Sequence, residues 1–132
     1  MFYKENKDSI TKSKKLCIAV DFDGTISTAR DMGAPLVLRP NCREVLEQMY
    51  RDGVSLILWT CRSGNSLQEA IDFLTDKKMI HFFCAINDQL PEVNELYYPD
   101  VARKVGADFY IDDRNLGTKI DWLEIRSSIY GW

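Results

Sequence analysis

The chain has little of what most metal and redox sites are made from. There is one histidine, His81, and the four cysteines (Cys17, Cys42, Cys61, Cys84) form no C-x-x-C pair, which removes the usual zinc spacings. No apolar run approaches the length of a membrane span. Lysines break up the first fifteen positions and no long apolar stretch follows, so no secretory signal is read and the cysteines are expected as reduced thiols in a cytoplasmic protein. Net charge is only −3, which excludes nucleic-acid binding driven by bulk charge. Internal repeats, low-complexity tracts and a second domain are also missing.

What is present is a globular composition: 132 residues, 45% hydrophobic and 11% aromatic, enough for one domain with one core. Residues 1–15 carry five Lys against one Glu and one Asp, a basic N-terminal arm that reads as a solvated terminus. The domain is expected over 16–132. Four short oily runs, Leu16–Val20, Val54–Trp59, Phe82–Ile86 and Ala107–Ile111, are apolar on both alternating faces, as in strands of a parallel sheet. Helical patterns separate them. "NCREVLEQMYRDG" has Val45, Leu46, Met49 and Tyr50 on one face and Asn41 as N-cap; "NSLQEAIDFLTDKK" is capped at Asn65 or Ser66; "YPDVARKVG" predicts a short helix ending at Gly106; "TKIDWLEIRSSI" predicts a closing helix with Ile120, Leu123 and Ile129 inward. The expected fold is α/β, a Rossmann-like parallel sheet flanked by helices.

Every oily run ends in polar residues: Asp21-Phe22-Asp23, Thr60-Cys61-Arg62, Asn87-Asp88 and Asp112-Asp113-Arg114. The carboxyl ends of parallel strands share one edge, where ligands bind, so four clusters converge. Crowded Asp21, Asp23, Asp112 and Asp113 need a cation, and an all-oxygen donor set suits Mg²⁺. Asp21, aimed by its strand, can be a nucleophile that forms an aspartyl-phosphate, and Asp23 can be its general acid and base. Gly24 lets backbone approach a phosphate, with Thr25 beside it on the substrate side. Thr60 would donate a hydroxyl hydrogen bond. Lys104 is the expected phosphate-binding cation, chosen over Lys77 and Lys78, which end a helix expected to point away. Arg62 and Arg114, which follow the motif residues directly, each read either as a substrate-binding group or as charge balance beside the acids.

In this order, "DFDGT", "LWTCRSG" and "ARKVGADFYIDDRN" resemble the haloacid dehalogenase superfamily of phosphohydrolases, over residues 16–115. The "DDRN" ending also resembles the phosphatase domain of phage-type polynucleotide kinases. The resemblance implies Asp21 as nucleophile, Asp23 as acid/base, Thr60 and Lys104 on phosphate, and Mg²⁺ on Asp21, the Asp23 carbonyl and Asp112, with Asp113 as ligand or neighbour. An aspartate at position 23 implies a phosphatase rather than a dehalogenase.

The intervals 26–55 and 64–103 leave room for a flap but no cap domain. An open site of this kind implies a large phosphorylated substrate, such as a nucleic-acid end or phosphoprotein, or closure by a second copy in a homo-oligomer. Small phosphorylated metabolites stay among the candidates. A cysteine phosphatase is excluded because the positions six after each cysteine are Asp23, Gln48, Leu67 and Leu90, none of them Arg. A phosphate-receiver domain has the acidic pair on its first strand and Lys last, the wrong order. The remaining alternative is a catalytically silent binding or regulatory module on the same fold.

Overall fold

In the computed structural model, described over residues 16–131, four parallel strands make one sheet in the order β3-β2-β1-β4. The strands are β1 (Cys17–Val20), β2 (Ser55–Leu58), β3 (Phe83–Ile86) and β4 (Phe109–Ile111). The helices are α1 (Cys42–Arg51), α2 (Gly64–Asp76), α3 (Pro91–Tyr97) and α4 (Trp122–Tyr130), with a 3₁₀ turn at Ile80–Phe82 leading into β3. This is the single-domain α/β, Rossmann-like arrangement expected of the sequence. The basic arm at 1–15 and Trp132 lie outside the described residues.

Alternation along β1 sends Ile18 and Val20 to one face and Cys17 and Ala19 to the other. The first face carries the larger core, built with Val45, Leu46 and Met49 of α1, Ala70 and Leu74 of α2, and Trp122 and Ile129 of α4. The second face packs Cys17, Ala19 and Ile57 against Leu90 and Val105, with Val93 of α3 and Tyr110 beside them. Central strands β1 and β2 are buried at every position, whereas Cys84 of β3 and Phe109 of β4 are exposed, as befits the two edges.

The elements start where local chemistry lets them: the N-cap of α1 falls at Asn41 as expected, and two other expectations are corrected. Ser63, not Asn65 or Ser66, sits at the N-cap of α2; the Ser66 hydroxyl accepts from the Ser63 N–H at 3.2 Å and donates back to its carbonyl at 2.8 Å. Asn41 precedes α1 in a left-handed conformation, φ 65°, and its side chain makes no capping bond. The third helix occupies Pro91–Tyr97, not the stretch ending at Gly106. Pro91 opens it and Pro99 forbids its continuation, since the residue before a proline is driven to extended backbone; Tyr98 has ψ 137°. Residues 98–106 form a loop pinned by the buried Gln89 side chain, whose amide donates to the carbonyls of Ala102 (2.9 Å) and Lys104 (2.8 Å) and accepts from the Gly106 N–H (2.7 Å).

Asp121 caps α4, accepting from the N–H groups of Leu123 and Glu124. In that helix Trp122, Ile129 and Tyr130 face inward while Leu123 is exposed, and Ile120 is buried just before the first turn. Trp122 does more than fill space: its indole N–H donates to the Thr25 carbonyl at 3.1 Å in the interior. Trp122→Phe keeps most of the apolar volume and leaves that carbonyl with Arg39 Nε as its remaining donor, so unfolding in urea should show a loss of about 0.5–1.5 kcal/mol with the slope unchanged.

Candidate active site

Register places the site. β1 and β4 pair Val20 with Ile111, and the Asp21 N–H donates to the Ile111 carbonyl at 2.9 Å. One residue beyond that pair the chain carries Asp21 on one strand and Asp112 on the next. On the other side Val20 pairs with Leu58, which brings Thr60 to the same edge, and the Asn87 N–H donates to the Leu58 carbonyl at 2.7 Å. Asp21, Asp112 and Asp113 each offer an oxygen, and these oxygens lie within 4.8 Å of one another. The expected convergence of strand tips is therefore present.

Above the tips lies a pocket of about 330 Å³. Its floor is Asp21, Asp23, Thr60, Cys61 and Asp112; its rim adds Arg114 and three residues of a flap, Arg30, Asp31 and Met32. The flap is the 26–40 segment. Thr28 N–H donates to the Val37 carbonyl, Arg39 N–H to the Ile26 carbonyl, and an antiparallel bridge joins Ser27 to Leu38. No separate cap stands over the pocket among the described residues.

The turn after β1 is shaped to keep carboxylates close. Thr25 is fully buried; its hydroxyl donates to Asp21 Oδ2 at 3.1 Å and accepts from the Asp113 N–H at 3.0 Å, tying the two strand tips together. Gly24 has φ 77°, and a Cβ there would sit 2.2 Å from Asp113 Oδ2 and 3.0 Å from Arg30 Cγ. Its N–H donates to the Ala29 carbonyl and that of Thr25 to the Phe22 carbonyl. Arg39 holds the outward carbonyls, with Nη2 2.8 Å from Gly24 O and Nε 3.2 Å from Thr25 O. The expectation that Gly24 and Thr25 bind substrate is thus corrected: their donors are spent within the turn, and they position Asp21 and Asp113 instead.

Arg62 is also corrected. Its side chain is only 1% exposed, and its Nε and Nη2 donate to both oxygens of Asp23 at 2.9 and 2.8 Å. Nη1 donates to the Ser66 carbonyl at 2.8 Å, and the guanidinium lies 5.1 Å from the Phe22 ring centroid. It orients Asp23 and faces no solvent. Asp23 itself lines the pocket but stands outside the Asp21–Asp112–Asp113 group, so its carboxylate is a neighbour of that group rather than a member. Thr60 keeps its hydroxyl at the pocket while the oxygen accepts from the Arg62 N–H at 3.2 Å, and Asn87 accepts from the Thr60 N–H at 2.8 Å.

Lys104 is not at this pocket. It lies in the 98–106 loop and borders a second cavity with Gln89 and Tyr97, and its Nζ is 5.0 Å from the centroid of Tyr110. Among the described residues, the cations that do reach the pocket are Arg30 and Arg114. Sequence reading missed Arg30, whose Nε donates to Asp113 Oδ2 at 2.8 Å across 83 residues, because no motif marks the flap.

The electrostatics follow from crowding. The Asp21 carboxyl is pushed up to about 7, first by burial, then by the Asp112 charge and contact with Asp113, against the pull of the Thr25 hydroxyl and the Phe22 N–H. Asp113 Oδ1 is buried and accepts no hydrogen bond. Three carboxylates with one orphaned oxygen and no nitrogen or sulfur ligand fit a hard divalent cation, which would supply the missing positive partner.

The fold and the pocket define a single-domain α/β protein with a carboxylate site at the carboxyl edge of a parallel sheet. No protein-family description matches the chain, and no curated protein does. A solved structure does: a conserved protein of Bacteroides thetaiotaomicron, 36% identical, with a TM-score of 0.76 over 89% of this chain and 92% of that one. The chain belongs to the same family as that protein. No helix among the described residues is long and apolar enough to cross a membrane.

Two outcomes test the site's construction. Gly24→Ala combines a strained φ with a collision on Asp113 and should cost about 1–3 kcal/mol by chemical denaturation, together with weaker Mg²⁺ binding by calorimetry. For Asp21 the folded carboxyl ionises near 7 and the unfolded one near 3.8, so the cost of its charge grows across that interval and is complete above it. With divalent cations chelated at pH 8, Asp21→Asn should therefore melt higher than wild type by roughly 2–5 °C, a gap that closes by about pH 4. Adding Mg²⁺ should raise the wild-type midpoint and leave the variant nearly unmoved.

Proposed function

We propose that the protein is a Mg²⁺-dependent phosphohydrolase of the haloacid dehalogenase type, working through an aspartyl-phosphate on Asp21. The observation that carries this reading is the meeting of Asp21, Asp112 and Asp113 oxygens within 4.8 Å of one another, where Asp21 and Asp112 line an open pocket together with Asp23 and Thr60. Asp21 attacks the phosphorus of a phosphate monoester. The ester P–O bond breaks, and the leaving oxygen takes its proton from Asp23. In the second half Asp23 takes a proton from water, the water oxygen attacks the same phosphorus, and phosphate leaves with Asp21 restored. Thr60 donates a hydrogen bond to a phosphoryl oxygen. Asp21, Asp112 and Asp113 would hold a Mg²⁺ ion, which would supply positive charge to offset that of the phosphoryl group beside the carboxylates. Arg62 keeps Asp23 turned toward the leaving side.

The flap leaves the mouth open, which favours an ester whose leaving group extends outward, either a small metabolite or a nucleic-acid end. The exposed thiols of Cys61 and Cys84 suit a reducing, cytoplasmic setting. The second reading, a silent binding module, draws on two observations: Asp23 is held by Arg62 through both oxygens, and the expected lysine sits at another cavity.

Incubation with an aryl phosphate and Mg²⁺ separates the two. Release of the phenol should stop when the metal is chelated and fall at least about 10³-fold in Asp21→Asn. Equal rates in that variant refute the nucleophile, and an inert wild type across phosphorylated metabolites and oligonucleotides favours the silent module.

A further inference from the structure

A phosphate dianion entering this pocket meets Asp21, Asp23, Asp31 and Asp112. It needs fixed positive charge from the chain beyond any bound metal. Lys104 cannot give it from the second cavity, and Arg62 is spent on Asp23 and Ser66. Two guanidiniums remain at the pocket, Arg30 from the flap and Arg114 from the β4 tip. Arg30 uses only Nε, on Asp113, which leaves its two Nη groups without a hydrogen-bond partner among the described residues. The Arg114 side chain has no ion pair or hydrogen bond among the described residues, while its backbone N–H donates to Asp112 Oδ1 at 2.8 Å. The Arg114 main chain is therefore tied to Asp112 beside the carboxylate cluster, and the residue lines the same pocket. Guanidinium forks match phosphate oxygens two at a time, which a lysine cannot do.

We infer that Arg114, assisted by Arg30, is the substrate-binding clamp for the phosphoryl group, in the place expected of Lys104. The inference deepens the phosphohydrolase reading and rests on it for the identity of the ligand. Arg114 is the sharper probe, because Arg30 also props Asp113.

The test is calorimetric titration with inorganic phosphate in the presence of Mg²⁺, run beside aryl phosphate turnover. Arg114→Gln should weaken phosphate binding at least about tenfold, Arg114→Lys should recover part of the loss, and Lys104→Gln should bind as wild type does. Thermal midpoints of all three should match wild type, since neither side chain holds the core. An Arg114→Gln protein with unchanged phosphate affinity, a loss confined to Lys104→Gln, or a wild type that binds no phosphate overturns the clamp. Phosphate binding through Arg114 with no ester turnover leaves the clamp standing and retires the hydrolase. Turnover with Arg114→Gln binding normally does the reverse.

Discussion

Like charges on adjacent strand tips govern the design of this molecule. Parallel pairing of β1 with β4 puts Asp21 beside Asp112, and Asp113, the next residue, brings a carboxylate oxygen within 4.8 Å of both. Each neighbouring oddity of sequence answers that crowding. Gly24 is a glycine because a methyl would occupy the volume of Asp113, and Thr25 is buried because its hydroxyl is the one group that can donate to Asp21 and accept from Asp113 together. Arg39 and Trp122 then hold the carbonyls that the turn thrusts outward. The Trp122 contact reaches across 97 residues, so the final helix helps to hold the first turn.

Much of this was legible in the chain because buried parallel strands advertise themselves. Runs such as "LCIAV" and "VSLIL" are apolar at every position but Ser55, and the polar residue that ends each run marks the edge where a site belongs. The α3 region was illegible for the opposite reason. In "PEVNELY" only Val93, Leu96 and Tyr97 mark a helical face and no residue of that helix is fully buried, whereas Val101 and Val105 four apart in the next stretch imitate a helix. There Val105 is a single buried anchor, and Gln89 holds the backbone that helical bonds would have held. Glutamine in a strand-to-helix connection gives no sign of such work.

The same limit separates the site residues. Asp21, Asp23, Thr60 and Asp112 were readable because strand register alone brings them to one edge. The roles of Arg62, Gly24 and Thr25 were not, because sequence names a residue type and leaves its partner open. Arg62 looks like a substrate hook until its guanidinium is seen to be 1% exposed. Lys104 was misplaced by the helix that was expected to carry it. Arg30 shows no pattern at all, since its meeting with Asp113 depends on how the flap folds back.

The buried Arg62 contact has a mechanical result. Through Asp23 and the Ser66 carbonyl it rivets the turn after β1 to the first turn of α2, and Asn87 fastens the same stretch to the end of β3. One side of the pocket is consequently stiff. The facing side is the flap, hydrogen-bonded at its base through Thr28 and Arg39, and it reaches the carboxylates through Arg30, an exposed arm with one ion pair to Asp113. Whatever enters must find its room by bending that softer side, so the breadth of guests the pocket admits is set by the flap's give and hardly at all by the carboxylate floor.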